Sequence, residues 1–146
     1  PDLQRKEQTQ DRIYAALEAD DPEGLHQAFH AFFASIPHDW HRRNDIADYE
    51  GYWASVVYCY FAALGLTVIP EDVTNHGRID LTILWPGRAY LLEFKVIELS
   101  GPDRALQQIQ DRRYFQKYVD QPMTLMGMEF SSVERNLVGF EWQRLV

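Results

Sequence analysis

The order of hydrophobic patterns, helices first and then three strands, a helix and two strands, predicts an α/β sandwich built on a mixed sheet. Three observations carry that expectation. Gly77 to Val96 reads as two runs rich in β-branched and aromatic residues around Pro86-Gly87, the pattern of an antiparallel hairpin. Met123 to Phe130 and Leu137 to Trp142 read as two further strands. A helical pattern separates the two pairs, which implies a parallel crossover after the hairpin, with helices on both faces of the sheet.

The chain has 146 residues, 46% of them hydrophobic, enough for one core and short for two. Its longest apolar run, around Trp53 to Leu66, is too short and interrupted for a membrane span, and no secretory signal opens the chain. A soluble, cytoplasmic protein without membrane contact is expected. The first residue is Pro1, which suggests a processed product or a piece of a longer chain. The lone Cys59 excludes an internal disulfide and, lying in an apolar helical pattern, reads as a buried, inert thiol. No Gly-rich phosphate loop, nucleophile elbow or Cys/His zinc spacing is present. A net charge of −8 is the wrong sign for gripping nucleic acid by electrostatics alone. Arg104, Arg112, Arg113 and Lys117 nonetheless gather around one helix, where a local basic strip can form.

Gln8 to Ala19 and Pro22 to Ser35 read as helices. Asp21 caps the second, Pro22 takes its first position, and Leu25, Ala28, Phe29, Phe32 and Phe33 share one side. His26 and His30 have zinc-compatible spacing but lack a third ligand. A third helix is capped by Asn44 or Asp45 and ended by Gly65, with Glu50, Trp53, Ala54, Val57, Phe61 and Leu64 at helical spacing. Glu50 therefore lies on the apolar stripe. It needs either a partner or the favourable field of the helix N-terminus.

Leu66 to Pro70 reads as a short strand, and the hairpin follows. If its loop is symmetric about Pro86-Gly87, Leu84 faces Ala89, Thr82 faces Leu91, Asp80 faces Glu93 and Arg78 faces Lys95. Asp80, Glu93 and Lys95 then share a face. Ile79, Leu81, Ile83, Trp85, Tyr90, Leu92 and Phe94 take the other, as core. Two facing carboxylates, with Cβ atoms about 4.5–5.5 Å apart, repel unless a cation lies between them. Hard oxygen ligands at that spacing suit Mg²⁺ or Mn²⁺. Pro86 cannot take the positive φ that type I′ and II′ turns demand, so a loop longer than two residues is expected. Beyond the hairpin, Ser100 and Asp103 form a capping box for a helix running to about Val119. Its buried side carries Ala105, Leu106, Ile109, Phe115 and Val119.

Asp80 followed by Glu93-Phe94-Lys95 on the next strand resembles the D…(D/E)-x-K signature of the PD-(D/E)XK nuclease superfamily. Ile79 stands where the superfamily's name puts Pro, a packing position. The runs HGRIDLTIL…YLLEFKV, ALQQIQDRRYFQKY and MTLMGMEFSSVERNLVGFEW resemble more narrowly the nuclease-like domain carried C-terminally by bacterial AAA-ATPase-like proteins. The resemblance covers roughly Asp45 to Trp142. It implies a restriction-endonuclease-like core from residue 45 to 146, with residues 1–44 as a helical extension. It further implies a metal-dependent nuclease using Mg²⁺ or Mn²⁺, with Asp80, Glu93, Lys95 and Glu50 catalytic. The metal would be held by Asp80, Glu93, the Phe94 carbonyl and Glu50. Arg78, Gln108 and Tyr114 would contact substrate. For the helix glutamine, Gln108 fits the family's Gln-Ile pair, whereas Gln110 shares a face with Tyr114. The implied partners are nucleic acid, DNA ahead of RNA, and an ATPase-like domain of the same or a longer chain, with a homodimer left open. The alternative is a catalytically silent interaction module docking to that domain.

Overall fold

Gly65, at φ 78°, ends a helix whose last amides close on Phe61 and Ala62, and the chain turns from there into the sheet. The computed structural model describes residues 12–34, 50–74, 77–98, 104–131, 133–134 and 136–145, with the backbone alone for 50–54 and 114. Four helical segments are described: α1 (12–18), α2 (Pro22–Ala34), α3 (Glu50–Ala63) and α4 (Ala105–Arg112). The strands are β1 (Thr67–Thr74), β2 (Gly77–Trp85), β3 (Arg88–Val96), β4 (Met123–Ser131) and β5 (Asn136–Leu145). They form a sheet in the order β1-β2-β3-β4-β5, antiparallel except for the parallel pair β3 and β4 that α4 connects. The expected mixed sheet with helices on both faces is therefore present. Among the described residues, no helix is long and apolar enough to cross a membrane.

The sheet has two cores. On one face Leu81, Ile83, Tyr90, Leu92, Phe94 and Phe130 pack against Leu25, Phe29 and Phe33 of α2 and Val57 and Phe61 of α3. On the other, Ile79, Ala89, Leu91 and Leu125 pack under Ile109 of α4 and Tyr118. Asp21 caps α2 as expected, its carboxylate accepting the Gly24 amide at 3.1 Å. Arg88 fixes the N-terminal helices to the sheet by donating to the Leu17 and Glu18 carbonyls at the end of α1 and to the Tyr90 hydroxyl.

Several expectations are corrected. The hairpin loop is two residues long, since Trp85 pairs with Arg88. Gly87 carries the positive φ, 84°, with proline before it, the order of a type II turn rather than a primed one. Ile79 is core, yet on the α4 face rather than beside Leu81. The strand is irregular between them: the β1 pairing skips Glu71 and Asp80, and Glu71 has φ 48°. Strand β1 continues to Thr74, past the predicted end at Pro70. Cys59 is exposed, because α3 buries Val57, Tyr60 and Phe61 and turns residue 59 outward. The helix predicted to reach Val119 stops at Arg112. Arg113 is left-handed, at φ 55° and ψ 34°, and a 3₁₀ turn, Tyr114–Tyr118, follows. Val119 is exposed, not buried. The capping residues Asn44, Asp45, Ser100 and Asp103 lie outside the described residues, as does the start of α1 at Gln8.

Candidate active site

The β2–β3 pairing keeps one register from Trp85↔Arg88 to Leu81↔Leu92, and Asp80 and Glu93 stand one step beyond its end. There the two carboxylates do the work of ladder acceptors. Asp80 Oδ2 accepts the Phe94 amide at 2.9 Å, and Glu93 Oε1 accepts the Asp80 amide at 3.4 Å. Each acid is thus tied to the backbone of the facing strand. Beyond Leu81 and Leu92, side-chain oxygens rather than carbonyls accept these two amides.

Glu93 is 2% exposed. Burial first, and then the Asp80 charge and its side-chain hydrogen bonding, push the Glu93 carboxyl up to about 9, against smaller opposing pulls from the Asp80 amide and from Arg112. For that carboxyl to ionise beside Asp80, a cation has to replace its proton. The donor set, two carboxylates, matches the hard-oxygen preference of Mg²⁺ or Mn²⁺. Among the described residues Asp80 and Glu93 stand as a pair, without a third His, Cys, Asp or Glu grouped with them.

Gln108 supplies the next contact, donating Nε2–H to Glu93 Oε2 at 3.1 Å from the second turn of α4. Gln110, the other candidate, points away and donates to Gln143 on β5 at 2.6 Å. Lys95 follows Glu93 by two on β3, half-buried, with Glu129 of β4 as its register partner. Arg78 is exposed and lies 3.9 Å from the Glu71 carboxylate. Glu50 is the first residue of α3, and Tyr114 opens the 3₁₀ turn; the side chains of both lie outside the described residues. The expected basic strip is largely committed to internal pairs. Arg104 Nε meets Glu141 at 2.7 Å, and Lys117 is bonded to Asp72. His26 stacks on Phe140 with centroids 4.7 Å apart, a packing role for one of the paired histidines.

Sequence reasoning missed a second acidic centre on the same sheet face. Asp72 of β1 is 2% exposed and accepts bonds from Thr82, Lys117 and Tyr118. Burial would raise its carboxyl, but Lys117, Tyr118 and Thr82 outweigh burial and hold it below the usual range. Burial and the Asp72 charge in turn push the Tyr118 hydroxyl up, so it remains a donor. These four residues come from three elements, and no short motif joins them.

Comparison with known proteins identifies the family. A model of the PD-(D/E)XK nuclease superfamily matches residues 48–140. An uncharacterized protein in the vnfD 5′ region of Azotobacter chroococcum mcd 1 is 56% identical over 131 residues. That match takes in 88% of this chain and 25% of the relative, so the chain spans about a quarter of the relative's length. With the family match running through both strands of the hairpin, the chain belongs to the PD-(D/E)XK nuclease superfamily and has its restriction-endonuclease-like α/β fold.

Proposed function

We propose that the chain is a divalent-metal-dependent nuclease domain that hydrolyses phosphodiester bonds, with Asp80 and Glu93 as metal ligands and Lys95 as the polar group at the reaction. The observation that carries this reading is the buried Glu93 carboxyl set against Asp80 just beyond the end of the β2–β3 pairing. Mg²⁺ or Mn²⁺, when bound, supplies positive charge for the phosphate and acidifies water. The Phe94 amide orients Asp80, and Gln108 orients Glu93. The Phe94 carbonyl and Glu50 are the further oxygen donors of this reading. Lys95 donates to the attacking water or to the charge growing on the phosphate oxygens. Arg78 and Tyr114 contact the nucleic-acid backbone. DNA is the favoured substrate. The relative is much longer than the segment matched here; the partner in this reading is an ATPase-like domain of the same or a longer chain.

The test is cleavage of labelled single-stranded DNA, double-stranded DNA and RNA with Mg²⁺ or Mn²⁺. Lys95→Ala is expected to lower the rate at least about 100-fold, the low end for loss of a general acid–base group. Its melting temperature and metal affinity should stay near wild type. Loss of folding in Lys95→Ala would make the lysine structural. An inactive wild type that still binds metal would favour the silent docking module, the alternative that net charge −8 supports.

A further inference from the structure

Glu93 of β3 has Gly127 of β4 as its register partner. A Cβ placed on Gly127 would fall 2.2 Å from the Leu106 nitrogen, 2.8 Å from Leu106 Cα and 2.9 Å from the Ala105 carbonyl carbon. All three are backbone atoms, which no rotamer change can withdraw. The first turn of α4 therefore rests on bare strand backbone. Two residues on, Glu129 accepts the Ala105 amide at 3.1 Å and the Arg104 guanidinium at 3.4 Å, holding the same turn along the sheet. Gln108, less than one helical turn beyond Leu106, makes the 3.1 Å bond to Glu93.

We infer that Gly127 and Glu129 form a seat for α4 that positions Gln108 on Glu93, making Gly127 a positioning residue for the acidic centre. Relieving a Cβ clash of this size displaces the helix by about 1 Å, enough to carry a bond of this length out of hydrogen-bonding range. The consequence for metal binding rests on the proposed nuclease reading; the positional claim does not. Alanine is otherwise no worse than glycine in a strand, so a purely local view predicts unchanged or slightly better stability for Gly127→Ala.

The experiment reads two signals. In the metal-free protein, the side-chain amide resonances of Gln108, assigned with Gln108→Leu, report the bond to Glu93. They are expected to move in Gly127→Ala to the positions they take in Glu93→Ala. Resonances unmoved by Gly127→Ala overturn the proposal. In calorimetry with Mn²⁺, Gly127→Ala and Gln108→Leu are each expected to weaken binding about 10-fold, a usual cost of losing a ligand's supporting bond. The double variant should be no weaker than either single one, because both remove the same contact. Additive losses would mean that Gly127 acts elsewhere. Should Gly127→Ala fail to fold, Glu129→Ala carries the test, since it loosens the same turn without adding an atom to β4; unshifted Gln108 resonances there overturn the seat. A wild type that binds no Mn²⁺ would sink the nuclease reading and leave the resonance test standing.

Discussion

At Glu93 the metal-free protein holds a carboxyl raised from its ordinary 4.5 to about 9 by burial and by Asp80. A raised pKa means that the folded chain binds the proton more tightly than the unfolded one. The contribution to stability is complete below the unfolded value and is lost as pH rises through the folded one. Metal-free wild type should therefore lose melting temperature steadily between about pH 5 and pH 9, and Glu93→Gln should flatten that slope. At pH 8 the variant should melt clearly higher than wild type, since each kcal/mol moves a domain of this size by about 2–4 °C. Parallel melting curves for the two proteins across that range would show that Glu93 is ionised without penalty. At this scale the sequence was informative: the hairpin register that aligns Asp80 with Glu93 follows from counting outward from Pro86-Gly87. What counting cannot supply is burial. The second core under α4, which makes the Glu93 charge costly, comes from Ile109 and Leu125, far away in the chain.

The 3₁₀ turn Tyr114–Tyr118 exists because the helix breaks at Arg113, a left-handed residue costing roughly 1–2 kcal/mol when it is not glycine. The break brings Lys117 and Tyr118 onto Asp72 at the sheet edge and sets Tyr118 in the core with Ile79 and Leu91. Tyr118→Phe removes one donor from a buried carboxylate and should cost about 1–3 kcal/mol, read as a lower denaturant midpoint with an unchanged slope. Asp72 is held below its ordinary 3.8. Its contribution is present above that value and lost as pH falls through the lower folded one. Asp72→Asn should thus be less stable at neutral pH and show a shallower fall below about pH 4. An acid transition identical to wild type would deny Asp72 that role. Helical periodicity through Val119 gives no warning of the break, because Phe115 and Val119 fit an α-helical stripe, whereas the 3₁₀ turn buries Tyr118 and leaves Val119 exposed. In the hairpin turn proline cannot take a positive φ, and Gly87 supplies it one residue later, so two residues suffice.

Over the whole molecule, the five strands, the parallel crossover and helices on both faces were all legible in the alternation of periodicities. The partition of the sheet into two cores was less so, because the irregularity opposite Glu71 moves Ile79 from one face to the other. Negative net charge and the internal pairing of Arg104 and Lys117 leave modest electrostatic attraction for a polyanion. Under the proposed function, recognition of a phosphate backbone would therefore rest chiefly on the cation that Asp80 and Glu93 are proposed to hold. The most direct measurement is calorimetric titration of Mn²⁺ and Mg²⁺ into wild type and Asp80→Asn at matched pH, with proton release followed in two buffers. The proposed site predicts saturable binding by wild type, release of protons as the Glu93 carboxyl gives up its own, and at least about a 10-fold loss in the variant. Equal binding by the two proteins, or none by either, would contradict it.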